Sequence, residues 1–435
     1  MTRTPRTHSC DLSEYSVANL TQSAPDEGAE LTIVAAAGFD SGYGLSGVSR
    51  VRRSQRTFEL GHYTFVAVES PKHEVHSSKW NTRAWTFQEA LLSRRCLVFT
   101  ETQCYFQCRQ GHRVESIDPD VTIMPLDQNF EAFPERGLGS IAVDIYDRIQ
   151  EYYRKELSYD ADILNAISGI LRAFQRTLKS THFYGIPIMF DGEKDSVSPG
   201  DMLRYLNVSL AVGLAWQVVD CRSQKVHQWY RPDASSSTFP SWTWAAYRTY
   251  QSKSDMGRLS FFYARAWRIA WTIGEVNLDE AIRIRLYHRS GAKMSLLEYI
   301  KHEDDYSAFH PCLELTSMSI SGSVLHHGSD LAYFSACPNM VLQLQYHPEK
   351  ESSSAATAVY VGSMSEPRRG QLEDLKPGKQ LAFILIEPVT DRCYRRIGML
   401  SYPMGKTWSE SNDIGYAFGR ICNTERWYRK TFELV

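Results

Sequence analysis

Arg83-Ala-Trp-Thr-Phe-Gln-Glu-Ala-Leu-Leu-Ser-Arg-Arg-Cys-Leu-Val-Phe-Thr-Glu-Thr-Gln-Cys-Tyr-Phe-Gln-Cys108 is the stretch that decides the reading of this chain. It joins an amphipathic helix to an aromatic strand. Trp80, Ala84, Phe87 and Leu91 recur at three- and four-residue steps and predict one apolar helical stripe. Ser77 or Ser78 can cap its start, and Ser93-Arg94-Arg95 sets cations near its last carbonyls. Cys96 to Phe99 and Cys104 to Phe106 then read as short strands around a polar turn.

On the N-terminal side, Leu31 to Ala37 is a continuous apolar run closed by Gly38, as expected of a strand buried on both faces. A glycine-rich loop follows to Gly47, and Tyr63 to Val68 is a second strand. On the C-terminal side, residues 109 to 140 read as a connector. Two helical stripes come next, Ile141, Ile145, Ile149 and Tyr152 (with Asp144 and Arg148 as an i,i+4 pair), then Ile163, Ile167, Ile170, Phe174 and Leu178. Tyr184 to Pro187 ends the helical stretch, and Leu203 to Val219 is apolar enough to be buried. Ile282 to Leu286 alternates with period two, and Leu313 to Ile320, Val341 to Tyr346, Leu381 to Ile386 and Ile397 to Tyr402 are further strand candidates. The expected fold class is α+β: an incomplete α/β layer over residues 1–108, a helical connector region over 109–248 and a β-rich region over 249–435.

A chain of 435 residues has room for two or three cores, and 43% hydrophobic with 23% charged residues is ordinary for a globular protein. The formal net charge of −2 gives no electrostatic case for nucleic acid or anionic lipid. Arg50, Arg52, Arg53 and Arg56 form a local cluster that reads as a solvated loop. No apolar run approaches the about 20 residues that span a bilayer, so membrane insertion is not expected. The first sixteen residues lack the hydrophobic stretch of a secretory signal. Nine cysteines, an odd number in a long chain, fit reduced thiols and a cytoplasmic location.

Local motifs divide between chemistry and packing. Gly42-Tyr-Gly-Leu-Ser-Gly47 is a literal GxGxxG, but the following Val48 to Gly61 makes a poor helix for a pyrophosphate, so a structural loop is expected and no cofactor is implied. Cys104, Cys108 and His112 share a C-x3-C-x3-H spacing without a fourth ligand nearby; His73 with His76, and His326 with His327, lack a second cluster. No metal is implied. Trp242 and Trp244, two apart after Pro240, point the same way if extended, to anchor a partner or to close a core; the core is the reading adopted. GxSxG, HExxH and P-loop patterns do not occur.

The stretch around Arg83-x-Trp-Thr-x-Gln-Glu89 resembles the fungal heterokaryon incompatibility (HET) family. Four further segments are similar to that family, in order: Leu31 to Val48, Leu157 to Gly169, Phe239-Pro-Ser-Trp-Thr-Trp-Ala245, and Leu385-Ile-Glu387 with Arg396-Ile-Gly398. Ser46 stands where the family usually has proline, and the family's opening segments have no counterpart. The resemblance therefore covers the second half of the domain, and truncation, or a gene model that starts late, is expected. It implies self/non-self recognition and cell-death signalling through unidentified protein partners. Its signature positions are Arg83, Trp85, Gln88, Glu89, Pro240, Trp242 and Trp244. HET-type domains have been compared with Toll/interleukin-receptor-type domains, some of which cleave NAD with a helix-borne glutamate. By that analogy Glu89 is the catalytic candidate, against a purely structural carboxylate or a non-catalytic scaffold.

Overall fold

The computed structural model describes residues 29–117, 131–134, 137–141, 144–178, 180–189, 198–220, 229–230, 239–249, 257–261, 282–302, 306–327, 331–337, 341–344, 354–366, 378–403 and 427–435. The fold is α+β. It has two compact units, one of residues 1–140 with 154–173, the other of 141–153 with 174–435. The division falls inside the helix Ser168–Thr177 and does not coincide with breaks at 108 and 248. Residues 11–27, polar in sequence and closed by the turn signal Ala24-Pro-Asp-Glu-Gly28, and the Ser-rich segment 231–238 lie outside the described residues.

The first unit holds a four-stranded sheet of β1 (Thr32–Ala35), β4 (Arg95–Phe99), β5 (Cys104–Cys108) and β6 (Gly111–Val114), in the order β1-β4-β5-β6. β1 runs parallel to β4; the other two pairings are antiparallel. Alternate residues Val34, Cys96, Val98, Tyr105 and Val114 turn to one face and pack with Val75 and Ala132. β1 is not buried on both faces as its apolar run suggested: Val34 is fully buried but Ile33 is 42% exposed. β1 pairs only with β4 among the described residues, and nothing described covers its second face. Gly111–Val114, inside the presumed connector, supplies the fourth strand.

A separate helix α1 (Pro71–Ser77) comes first, and the single helix expected from Ser77 or Ser78 through Leu91 is two short ones, α2 (Lys79–Thr82) and α3 (Ala84–Leu92). Ser78 and Arg83 are extended and break the ladder. Ser78 caps α2 as expected, its Oγ accepting from Asn81 N at 3.2 Å, while Thr86 Oγ1 donates to the Trp80 and Arg83 carbonyls and competes with helical bonds there. Glu156 bridges the second break: its carbonyl accepts from Ala84 N at 2.9 Å and its amide donates to Thr82 O at 2.6 Å. Tyr63–Ala67 (β3) is a strand as expected, but it pairs with Arg56–Leu60 (β2) in a separate hairpin, outside the sheet.

In the second unit the stripe around Ile145 and Ile149 forms the helix Asp144–Tyr152. Arg148 there pairs with Glu151 at 2.7 Å, while Asp144 accepts the Ile141 amide at 3.1 Å. Ile163 and Ile167 belong to the first unit and sit around two 3₁₀ turns before the helix Ser168–Thr177. Tyr184 and Gly185 form a hairpin turn between Ser180–Phe183 and Ile186–Met189, both residues at positive φ, which suits the right-handed strand twist. The apolar Leu203–Val219 segment splits into the helix Pro199–Gly213 and the strand Trp216–Asp220.

All the expected C-terminal strands are present, in a nine-stranded sheet. Phe309–His327 pairs with Ser354–Glu366, then Gly378–Pro388, then Cys393–Pro403; Tyr428–Leu434 joins that last strand back to the first. Those five strands close a ring of pairings, which removes their free edges. Leu381 to Ile386 is buried without alternation, as a strand covered on both faces requires. Arg283 and Arg285 are exposed while Ile284 and Leu286 are buried, as the period-two pattern predicts.

Candidate functional site

The glycine-rich loop is organised by a carboxylate. Glu101 accepts from Gly38 N at 3.2 Å and from Tyr43 OH at 2.9 Å, while its carbonyl accepts from Ser46 Oγ at 3.3 Å. Gly38 has φ +83, and a Cβ there would meet the Tyr43 ring at 2.1 Å. The bond to Glu101 raises the Tyr43 phenol above its ordinary pKa. The GxGxxG stretch leads into β2 rather than a helix. Its amides are already used within the loop, Gly42 N by Asp40 Oδ1, Leu45 N by Ser49 Oγ and Gly47 N by Arg50 O, so they are not turned to a pyrophosphate. Nothing in the sequence around Thr100-Glu101-Thr102 announces that role. Glu74 is equally silent there, yet it accepts from Thr100 Oγ1, Thr102 Oγ1 and Gln103 Nε2 at 2.9–3.4 Å.

Arg83, Trp85, Gln88 and Glu89 all lie on or beside α3. Gln88 is buried, and its Oε1 accepts from Gly169 N at 3.3 Å. Arg83 is exposed at the break before the helix; Trp85 and Glu89 are half-buried. The Glu89 carbonyl accepts from Ser93 N and Ser93 Oγ, and Ser93 Oγ also meets Thr32 Oγ1 at 2.6 Å. Phe87 is half-buried beneath the Lys155 ammonium, 5.4 Å from its ring centre. A shallow open depression nearby is lined by Leu91, Arg94, Gln107, Arg109 and Phe133 among others; Glu89 is not part of it.

Pro240, Trp242 and Trp244 belong to the second unit and are buried. Trp242 stacks on Phe183 with centroids 5.6 Å apart, and Trp244 meets Tyr152 and Tyr153 edge-on. Trp244 Nε1 donates to Gly185 O at 2.8 Å, and Thr243 Oγ1 to Tyr184 O at 2.6 Å. These bonds tie the segment to the positive-φ hairpin turn. Ser241 Oγ accepts from Arg396 N at 3.0 Å and donates to Val435 O. The tryptophans close a core.

No family model, curated protein or solved structure matches the chain.

Cys104 and Cys108 lie on the same strand, with His112 on the next. Burial raises the Cys104 thiol above its ordinary range and pushes Cys96 up to about 11. No cluster of metal-binding side chains occurs among the described residues. Cys337 departs from the all-reduced reading: it is disulfide-bonded. No described helix is long and apolar enough to cross a membrane.

Proposed function

We propose that this chain is a HET-type protein of self/non-self recognition and cell-death signalling, acting through protein partners in the cytoplasm rather than as a metabolic enzyme. The observation that carries the reading is that segments matched separately in the sequence meet in pairs. Gln88, from the Trp-Thr-x-Gln-Glu helix, takes the amide of Gly169, from the Ala-Ile-Ser-Gly segment. Ala36 and Ala37, from the Ile-Val-Ala-Ala run, both donate to Phe99 O, just beyond that helix. Ser241, from the Pro-Ser-Trp segment, accepts from Arg396, from Arg-Ile-Gly. Residues whose spacing follows one family are thus held by one another, which supports descent of the whole pattern over chance matches.

The same contacts favour a structural role for the signature residues. Gln88 satisfies a buried amide, and the tryptophans fill a core. NAD cleavage through Glu89 requires donors converging on a ribose beside the carboxylate, and the nearby depression is lined without Glu89. Inducible expression of the full chain in a filamentous fungus tests the proposal. Growth arrest with uptake of a vital dye is expected, lost on Gln88→Met; unaffected growth at confirmed expression overturns it.

A further inference from the structure

The hairpin β2–β3 is two-faced. Phe58 opposes Phe65 and Leu60 opposes Tyr63, with Arg56 and Ala67 on the same side; Thr57, Glu59, Thr64 and Val66 occupy the other. All ten strand residues are exposed, so the apolar side packs on nothing described. Phe58 and Phe65 stack at 5.3 Å and remain 57% and 42% exposed. An isolated hairpin is at best marginally stable in water, yet this one is anchored at its roots. Arg53 N donates to Glu101 O at 3.0 Å, Gln55 Nε2 to Ser116 Oγ at 2.6 Å, and Gln103 Nε2 to Glu69 O at 2.6 Å.

We infer that this apolar stripe docks an acidic amphipathic segment of a partner protein, whose carboxylates meet Arg56. Arg56 is exposed on the stripe's own side, opposite Ala67, and no carboxylate pairs with it among the described residues. A second copy is a poorer occupant, because the stripe carries no carboxylate; Glu59 is on the opposite side. A lipid surface is poorer too: both outer hairpin edges are unpaired among the described residues, and hydrocarbon would strip water from their backbone groups. A protein segment laid across one face leaves those edges wet. The inference rests on the hairpin alone and stands apart from the functional reading above.

The test uses the full chain and a fluorescein-labelled peptide alternating glutamate with leucine and phenylalanine, beside a version with lysine for glutamate. The glutamate peptide should bind and the lysine peptide should not, with binding weakened by added salt. Joint Phe58→Ser and Phe65→Ser should weaken binding on the order of a hundredfold. Arg56→Glu, which spares the apolar residues, should weaken the glutamate peptide and strengthen the lysine peptide. Equal binding of both peptides, or binding untouched by the phenylalanine changes, overturns the inference. So does failure of the glutamate peptide to bind, whether or not phosphatidylserine vesicles bind through Phe58 or the chain dimerises through it in sedimentation.

Discussion

The Arg396 guanidinium lies 3.9 Å from the centre of the Trp216 ring and donates to the carbonyl oxygen of the same residue at 2.6 Å. Arg396 is buried, its Nε and Nη1 have no hydrogen-bond partner among the described residues, and burial draws its pKa down to about 9. It is therefore still a cation at neutral pH, held by a ring face and one carbonyl. Trp216 in turn donates from Nε1 to Trp242 O at 2.8 Å. The cation and the Pro-Ser-Trp segment thus share one node.

Arg396→Ala removes the stem, the ring contact and the donor together, and should cost about 3–5 kcal/mol. Arg396→Met keeps the volume and removes the uncompensated charge, so it should be less destabilising than alanine by about 2 kcal/mol. Urea melts of both variants decide this; equal losses would mean the charge is better compensated than the geometry indicates.

Leu91 and Phe87 share the stripe expected from the sequence but not its burial. Leu91 is 3% exposed, so Leu91→Ala should cost about 2–5 kcal/mol. Phe87 is half-buried, and Phe87→Ala should cost only about 1–2 kcal/mol. Thermal unfolding that ranks phenylalanine above leucine would mean that Phe87 is the more deeply packed of the two.

Gln88→Met strands the Gly169 amide in a buried position and should cost about 1–3 kcal/mol. For the neighbouring Glu89, purified chain should leave NAD intact, and Glu89→Gln should leave that result unchanged. Nicotinamide release that disappears in Glu89→Gln while the fold persists would establish the hydrolase reading instead, since electrostatic stabilisation at a reacting centre is worth about 10²–10³ in rate.

Cys96 should resist alkylation. Burial both hides it and pushes its thiol up to about 11, so at pH 8 almost none is thiolate. Peptide mapping after iodoacetamide should find Cys96 modified only in denatured chain. The thiolate fraction grows as pH rises toward that value, so labelling of native protein should increase with pH. Rapid labelling at pH 8 would show that the β4 face opens.

The pattern of apolar and aromatic residues pointed to the α+β class and to the strands at Arg95–Phe99, Cys104–Cys108 and Arg283–His288, while the spacing of Trp242 and Trp244 left a partner anchor and a core both open. Such elements are legible because one face meets a core whatever that core is. The break at Arg83 was not, because it depends on Glu156, 73 residues further along the chain, to take up the freed backbone groups. Nor did the apolar run at Leu31–Ala37 reveal that β1 pairs only with β4 among the described residues and leaves Ile33 half-exposed, since neighbours across a sheet are chosen by topology. Glu101, Glu74 and Arg396 escaped for the same reason: a carboxylate or guanidinium carries no periodicity. Only the folded chain decides which donors, rings or water each of them meets.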